Sequence, residues 1–270
     1  MNSNGLAACR LRVANCPVDA LSFDQAVGEI CRRMRVRQKT HIVFINAAKV
    51  VKYRSHPDLA AVVDGADLLL ADGVPVVWAS RLAGAPLPGR VNGTDLMERM
   101  VECCAELGFR VFFFGATQDV VAKTVEEFKR RHPQLQVAGF RNGYYRPEEE
   151  AAIVDQINQC HPDLLLLAMG TPQKELWAHR HLESLDVAVC EGVGGSFDVV
   201  AGVTRRAPRW MQVTGLEWFY RFLQEPRRMW RRYLVTNSMF VWLALVDAVR
   251  SRCVGVQPNN TDVNHATRTS

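Results

Sequence analysis

One carboxylate stands where a short apolar run of this sequence ends abruptly. The stretch 68–71 has the pattern of a buried strand; Asp72 follows it directly, and Gly73 and Pro75 then turn the chain. Because open α/β sheets bind ligands at the carboxyl ends of their strands, Asp72 is a candidate for the chemical centre of a site. The alternative is structural, since Asp is also common as the N-cap of a helix, here one starting near Val76.

Other loops that follow predicted strands carry polar residues or glycines. They contain Asn46, Gly115, Thr171 with Gln173, and Gly194 with Asp198. If the strands are parallel, all of these loops open on the edge that carries Asp72. Glycines let backbone amides approach a phosphate, and a loop arginine such as Arg90 can bind phosphate oxygens in a bidentate manner. Taken alone, Arg90 is more often a solvated charge.

Several familiar site patterns are absent from the sequence. It has no complete G-x-G-x-x-G, no P-loop, no G-x-S-x-G, no H-E-x-x-H and no Asp-x-Asp triplet. Its eight cysteines form no C-x-x-C pair, which argues against zinc and fits the reduced thiols of a cytosolic protein. The residues alone therefore indicate an α/β domain that binds an anionic, nucleotide-like ligand beside one carboxylate.

Strand and helix patterns alternate to about residue 200. This alternation predicts an α/β, Rossmann-like, mostly parallel sheet with helices on both faces, assigned to a domain spanning 16–203. Residues before Cys16 are expected to be frayed, and Thr94 or Asp95 is expected to cap the helix 96–107. A helical appendage is predicted over 204–254, and the polar tail 255–270 is expected to be disordered.

The excess positive charge of the chain is concentrated in this appendage. The 270 residues carry a net charge of +5, and between 204 and 233 many arginines and aromatic residues face only Glu217 and Glu225 as acids. Such a segment suits an interfacial helix on anionic lipid. Packing of its tryptophans on the protein's own core and nucleic-acid binding are the alternatives, but the latter leaves the strand-exit motifs unexplained. No run of about 18 apolar residues and no signal peptide is present, so we expect a cytoplasmic protein without a membrane span.

Several motifs, in order along the chain, carry a resemblance to a known family. They are Ala71-Asp72-Gly73-Val74-Pro75, Arg90-Val91-Asn92-Gly93-Thr94-Asp95-Leu96-Met97, Gly170-Thr171-Pro172-Gln173-Lys174-Glu175, the glycine-rich run from Gly192 to Gly202, and Arg205-Arg206-Ala207-Pro208. Together they resemble the WecG/TagA/CpsF glycosyltransferases, glycosyltransferase family 26, over about residues 16–235.

The resemblance implies an enzyme and its partners. Members move a sugar, usually N-acetylmannosamine or its uronic acid and in some relatives glucose, from a UDP donor to a polyprenyl-diphosphate-linked saccharide. It implies an inverting, metal-independent reaction without a cofactor, on the cytoplasmic face of the plasma membrane, in cell-surface or exopolysaccharide biosynthesis. Nucleic acid is not expected as a partner, and an exposed apolar face would indicate a homo-oligomer. The rival hypothesis is a non-catalytic nucleotide-binding or membrane-scaffold protein on the same fold.

The resemblance also implies roles for single residues. Asp72 matches the general base, Arg90 and Gln173 match contacts to the donor diphosphate and sugar, and Asp198 matches a contact near the uridine ribose. Asn46 falls in the same pocket, whose other implied substrate-binding residues are Gly115, Thr171 and Gly194. Phe44 is a departure, because relatives often have Thr there, and it bears on specificity.

Three arginines of the appendage complete the implied site. Arg221, Arg228 and Arg231 are spaced i, i+7 and i+10, so one helical face can carry all three. The family precedent has such arginines folding over the pocket, where they would offset the charge of two diphosphates.

Overall fold

A parallel sheet of six strands forms the centre of the molecule. The computed structural model describes residues 9–214, 217–224 and 226–253, without the side chains of 213, 218, 221, 226–235 and 250–253. The strands are β1 (Arg10–Val13), β2 (Cys16–Asp19), β3 (Thr40–Ile45), β4 (Leu68–Ala71), β5 (Arg110–Gly115), β6 (Gln136–Arg141), β7 (Leu164–Ala168) and β8 (Val189–Glu191). The sheet order is β4-β3-β8-β7-β5-β6, and every pairing in it is parallel.

Helices cover both faces of this sheet, so the predicted fold class is confirmed. They are α1 (Phe23–Arg35), α2 (Ala47–Ser55), α3 (Pro57–Asp64), α4 (Val74–Leu82), α5 (Gly93–Leu107), α6 (Gln118–Arg131), α7 (Glu150–Gln159), α8 (Gln173–His181), α9 (Ser196–Val200), α10 (Arg209–Val213), α11 (Glu217–Gln224) and α12 (Pro226–Cys253), with a 3₁₀ turn at Pro147–Glu149. Ser22 caps α1 in a capping box with Gln25, as its position before an apolar helical pattern indicates.

The central strands are apolar on both faces, which is why they appear in the sequence as continuous hydrophobic runs. Alternate residues of β3 point to opposite sides: Ile42 and Phe44 pack on the face of α1, α5 and α6, whereas Val43 and Ile45 pack on the face of α2, α3 and α4. These buried contacts fix the register of the strands and therefore the side of the sheet on which each exit loop begins.

The order of the strands reverses near the middle of the sheet. β3 and β4 lie on one side of β8, and β7, β5 and β6 lie on the other. A ligand crevice in this class of fold lies at such a reversal, outside the carboxyl ends of the strands. The exit loops of β3, β4, β7 and β8 therefore surround the predicted crevice.

The expectation of a frayed N-terminal stretch before Cys16 is wrong for residues 9–15, and residues 1–8 lie outside the described part of the chain. β1 and β2 form an antiparallel hairpin, and the two residues of its turn, Ala14 and Asn15, have φ angles of 49° and 67°. Positive φ at both positions is the mark of a type I′ turn, in which Asn is favoured. Asp19 then accepts hydrogen bonds from Arg10 Nε (2.7 Å) and from the amide of Leu69 (2.8 Å), which attaches the hairpin to β4.

The C-terminal half of α12 packs on the α/β body. Phe240, Leu243 and Ala244 are buried in the same apolar cluster as the residues of α2 and α4. The amide of Ala14 donates to Asp247 Oδ2 at 2.8 Å, so the N-terminal hairpin and the last helix hold each other. The division at 203/204 stays a prediction, and the tail 255–270 lies outside the described residues.

Replacing Gly115 with Ala is expected to destabilise the fold. Gly115 has a φ of 132°, and a Cβ on it would lie 2.4 Å from the carbonyl oxygen of Ala168 in the neighbouring strand. Strained backbone of this kind costs about 1–3 kcal/mol, and the steric clash adds to it. Gly28→Ala is the matched control: this exposed helical glycine has no atom within 4 Å of the added Cβ, so the change is neutral or stabilises by up to about 1 kcal/mol. Urea unfolding checks both variants, and equal stabilities would contradict the expectation.

Candidate active site

Asp72 leaves the end of β4 and is not a helix cap. Its amide donates to the carbonyl of Ile45 at 2.8 Å, which keeps the backbone in line with β3. The N-cap of α4 is Gly73, which has a φ of 130° and makes no side-chain capping bond. Asp72 is therefore not the N-cap residue of this helix, and its role as the chemical centre stays a prediction. Its carboxylate is instead directed at the loop before α5, where Asn92 Nδ2 donates to Asp72 Oδ1 at 3.5 Å.

Asn92 is fixed by the helix that follows it. Its Oδ1 accepts from the amides of Thr94 (3.0 Å) and Asp95 (3.1 Å), so Asn92 caps α5, and the expectation of Thr94 or Asp95 in that role is wrong. Because the oxygen is used by the cap, the side-chain NH₂ group must face the other way, towards Asp72. The amide of Val91 donates to the carbonyl of Ala71 at 2.8 Å and holds the whole loop against β4.

A second carboxylate enters this cluster from the first residue of α11. Glu217 Oε2 accepts from Arg90 Nη1 at 2.8 Å and from Asn92 Nδ2 at 3.4 Å, and Glu217 Oε1 lies 3.9 Å from Arg206 Nε. Arg206 also forms an ion pair with Asp95. We call Arg90, Asn92, Arg206 and Glu217 the arginine cluster. Asn92, Arg206 and Glu217 were not among the predicted site residues, although Glu217 is one of two acids in an arginine-rich segment.

A buried ion network lies at the exits of β3 and β7. Lys49 Nζ donates to Glu175 Oε1 at 2.7 Å, and Lys174 Nζ lies 2.9 Å from the same oxygen and 2.6 Å from Thr171 Oγ1. Burial alone would raise the pKa of Glu175, but the two ammonium groups outweigh it and hold this pKa at about 2. The carboxylate is thus ionised and shared by two cations.

Lys174 brings this network to the glycine-rich loop after β8. A Cβ on Gly192 would lie 3.0 Å from Lys174 Cδ, and one on Gly194 would lie 3.8 Å from Lys174 Nζ. The side chain of Asp198 lies beside the same loop, with Oδ2 3.6 Å from where a Gly195 Cβ would stand. The structure therefore brings Thr171, Gly194 and Asp198 to one part of the sheet edge, together with a lysine that the sequence analysis did not single out.

The arginine cluster and the buried ion network around Glu175 lie on the same edge of the sheet. Asn46 caps α2 by accepting from the amide of Lys49 at 3.0 Å, and its Cβ is 3.9 Å from where a Gly73 Cβ would stand. The charge of Asp72 acts on the pKa of Lys49, where it opposes the lowering by burial. A hydrogen bond of 2.9 Å between Thr94 Oγ1 and Ser196 Oγ joins the start of α5 to the start of α9.

Other predicted site residues have different surroundings. Gln173 is exposed and its side chain hydrogen bonds to Tyr145, so the neighbouring Lys174 is the residue that faces the glycine loop. Gly115 is the last residue of β5 and is packed against Ala168 and Gly143. Phe44 is buried, and a Cβ on Gly93 would lie 3.5 Å from its ring, so Phe44 supports the first turn of α5.

The backbones of Arg221, Arg228 and Arg231 lie in α11 and α12, but their side chains lie outside the described part.

Metal-binding side chains and membrane-spanning helices bear on the expected chemistry. Within 9–214, 217–224 and 226–253, no three or more His, Cys, Asp or Glu side chains are grouped so that they could hold a metal ion. In the same part of the chain, no helix combines the length and the apolar character that crossing a bilayer requires. Independence of a metal stays a prediction.

A parallel α/β sheet with ionisable side chains gathered at its exit loops is the scaffold of many group-transfer enzymes with anionic substrates. The pattern that defines the Glycosyl transferase WecG/TagA/CpsF family matches residues 11–254. The chain therefore belongs to this family and is a glycosyltransferase, which confirms the resemblance carried by the strand-exit motifs.

Two relatives show how similar the chain is to proteins of named activity. It is 40% identical over 179 residues, 66% of its own length and 68% of the relative's, to an N-acetylglucosaminyldiphosphoundecaprenol N-acetyl-beta-D-mannosaminyltransferase from Bacillus spizizenii (strain ATCC 23059 / NRRL B-14472 / W23). It is 34% identical over 188 residues, 70% and 71% of the two lengths, to a protein of the same name from Bacillus subtilis (strain 168).

Proposed function

We propose that this glycosyltransferase moves a sugar from a UDP donor to a saccharide carried on a polyprenyl diphosphate. The names of the two Bacillus relatives support an N-acetylglucosaminyl-diphosphoundecaprenol acceptor and an N-acetylmannosamine-type sugar, and glucose is the second candidate for the sugar. The observation that carries the proposal is the position of Asp72 at the carboxyl edge of the sheet, where Asn92 holds its carboxylate beside the arginine cluster.

The proposed reaction is a direct displacement. Asp72 accepts the proton of the acceptor hydroxyl while that oxygen bonds to the anomeric carbon of the donor sugar. The bond between the anomeric carbon and the phosphate oxygen breaks, and UDP leaves with the bonding electrons. Attack from the side opposite the leaving group inverts the anomeric centre. In this mechanism Asn92 is a positioning residue, because its amide orients the carboxylate.

Charge compensation is the second requirement of the proposal. The donor and the lipid-linked acceptor each carry a diphosphate, and these groups repel each other where little water separates them. Arg90, Arg206 and Lys174 are the cations placed to offset this charge at the sheet edge. We propose that Arg221, Arg228 and Arg231 add to them when lipid-linked acceptor is bound.

Acceptor-dependent release of UDP distinguishes this enzyme from a nucleotide-binding or scaffold protein on the same fold. The full chain is mixed with a panel of UDP-sugars, with and without a polyprenyl-diphosphate-linked saccharide, in the presence of EDTA. We expect one donor to release UDP only when acceptor is present. Binding of UDP without release under any combination would favour the scaffold.

We also propose that α12 contacts the cytoplasmic face of an anionic membrane as a peripheral element. Its described part exposes large apolar side chains, namely Met239, Val241, Trp242, Leu245 and Val249. The preceding stretch of sequence supplies arginines suited to anionic head groups. Self-association of two copies is the competing way to cover the same residues, and sedimentation without lipid would reveal it.

Removing two of these apolar side chains is expected to weaken binding to lipid. The double variant Trp242→Ser with Leu245→Ser should partition into phosphatidylglycerol vesicles about tenfold less than the wild type, or lower still. Both substitutions remove apolar side-chain area that would be buried in the lipid. Tyr144→Ser, which alters another exposed aromatic residue at a loop, is the control and should leave partition unchanged. Equal co-sedimentation of the double variant and the wild type would contradict membrane contact through α12.

A further inference from the structure

The carboxylate of Glu217 has an unusual set of donors. Its oxygens lie 2.8 Å from Arg90 Nη1, 3.4 Å from Asn92 Nδ2 and 3.9 Å from Arg206 Nε. Arg90 and Asn92 belong to the loop before α5, and Arg206 belongs to the segment between α9 and α10. Both the Glu217 and the Arg90 side chains are largely buried, with 24% and 17% of each exposed. Planar guanidinium groups that converge in this way match the oxygens of a phosphate as well as those of a carboxylate.

The Glu217 carboxylate is linked to Asp72 through Asn92. The NH₂ group of Asn92 reaches Oδ1 of Asp72 at 3.5 Å and Oε2 of Glu217 at 3.4 Å, so one amide connects the two acids. If Asp72 is the base, the donor sugar lies next to it and the donor diphosphate lies one sugar away. The Glu217 carboxylate and its arginine partner Arg90 lie one side chain beyond Asp72, because Asn92 bridges Asp72 and Glu217. A diphosphate and Glu217 cannot both use these cations without bringing like charges together.

We propose that Glu217 is an internal stand-in for the substrate's diphosphate. In the unliganded protein it pairs with Arg90 and Asn92 and lies beside Arg206, whose other acidic partner is Asp95. The diphosphate of the bound donor takes the place of Glu217 among these groups and displaces it. Arg206 is thereby assigned as a diphosphate-binding residue. The identity of the ligand rests on the proposed function, whereas the anion site itself rests on the arginine cluster.

Displacement of Glu217 has a consequence for the C-terminal segment. Glu217 is the first residue of α11, and its contacts with Arg90 and Asn92 attach α11 to the loop before α5. When the donor takes these contacts, α11 is released from that loop. Binding of the nucleotide at the sheet edge is thus coupled to the position of the segment that leads into α12.

Glu217→Gln tests the stand-in directly, because it keeps the size of the side chain and removes its charge. We expect UDP and inorganic pyrophosphate to bind this variant about tenfold more tightly than the wild type by titration calorimetry. Glu183→Gln removes the same charge from a side chain that is 92% exposed in the loop before β8, at the opposite edge of the sheet, and should not change either affinity. Unchanged or weaker binding to Glu217→Gln, with an unchanged melting temperature, would overturn the proposal.

A second substitution separates a stand-in from a merely structural contact. Arg206→Gln should weaken pyrophosphate binding, and the gain from Glu217→Gln should shrink when the two changes are combined, because they act on one set of contacts. Additive effects would overturn the proposal, as would an absence of pyrophosphate binding in every variant. The transfer assay judges the proposed function separately: tighter anion binding by Glu217→Gln in a protein that transfers no sugar would support the stand-in and reject that function.

Discussion

Replacing Asp72 with Asn is expected to lower the rate of sugar transfer by about 10²–10⁴-fold, the usual contribution of a general base. Asn keeps the shape of the side chain and an oxygen that can accept from Asn92, so the site should stay assembled. It cannot take up the proton of the acceptor hydroxyl. The affinity for UDP should change little, because Asp72 acts at the sugar and not at the nucleotide. Single-turnover kinetics and titration calorimetry measure the two quantities on the same preparation.

Asp155→Asn is the matched control for this experiment. Asp155 is exposed on α7, on the β5–β7 side of the sheet, and the change should leave transfer unaffected. A wild-type rate in Asp72→Asn would rule out Asp72 as the base. A loss of UDP binding equal to the loss of transfer would assign Asp72 to nucleotide binding instead.

Glu191 is expected to make the protein less stable as the pH rises. It lies in β8 between Ile42 and Leu166, is fully buried, and neither of its carboxyl oxygens has a hydrogen-bond partner among the described residues. Burial raises the pKa of this carboxyl to about 8 in the folded protein, from an ordinary value of 4.5. The folded state therefore holds a proton that the unfolded chain loses between these two values.

The sign of the effect follows from this difference. Between pH 4.5 and 8 the unfolded state binds fewer protons, so the free energy of unfolding falls with rising pH, by up to about 5 kcal/mol in total. Glu191→Gln removes the titrating group and should flatten this slope, and Glu191→Met should flatten it while also removing a buried polar group. The gap in stability between either variant and the wild type should therefore widen from pH 5 to pH 9.

Urea unfolding at several pH values measures this gap. His41 titrates in the same range, because burial lowers its pKa to about 4, but its contribution is common to all the variants and cancels in the difference. Parallel curves of stability against pH for wild type and Glu191→Gln would show that Glu191 does not hold a proton in the folded protein.

The sheet and its exit residues could be predicted because local patterns specify them. Apolar runs such as 68–71 and 164–167 are long enough for a buried strand and too short for a helix, and each ends at a glycine or polar turn residue. A parallel arrangement then places Asp72 and Asn46 on one edge without further information, and the structure has them there.

The arginine cluster and Lys174 could not be found in this way, because their roles depend on contacts between distant segments. Nothing local in the sequence indicates that Glu217 meets Arg90, 127 residues earlier. The choice between Gln173 and Lys174 depends on which side of α8 faces the glycine loop, which is set by packing against the sheet. The N-terminal hairpin was missed for a local reason, since Ala-Asn is a weaker turn signal than Asn-Gly.

The product of one reaction tests the central proposal most directly. The protein is incubated with the UDP-sugar that gives acceptor-dependent UDP release and with N-acetylglucosaminyl-diphosphoundecaprenol, and the lipid product is examined by mass spectrometry and by NMR at the new anomeric carbon. We expect a lipid-linked saccharide longer by one sugar, with the anomeric configuration inverted relative to the donor. A product with retained configuration would contradict direct displacement with Asp72 as base, and UDP binding without any lengthened product would contradict the proposed transfer itself.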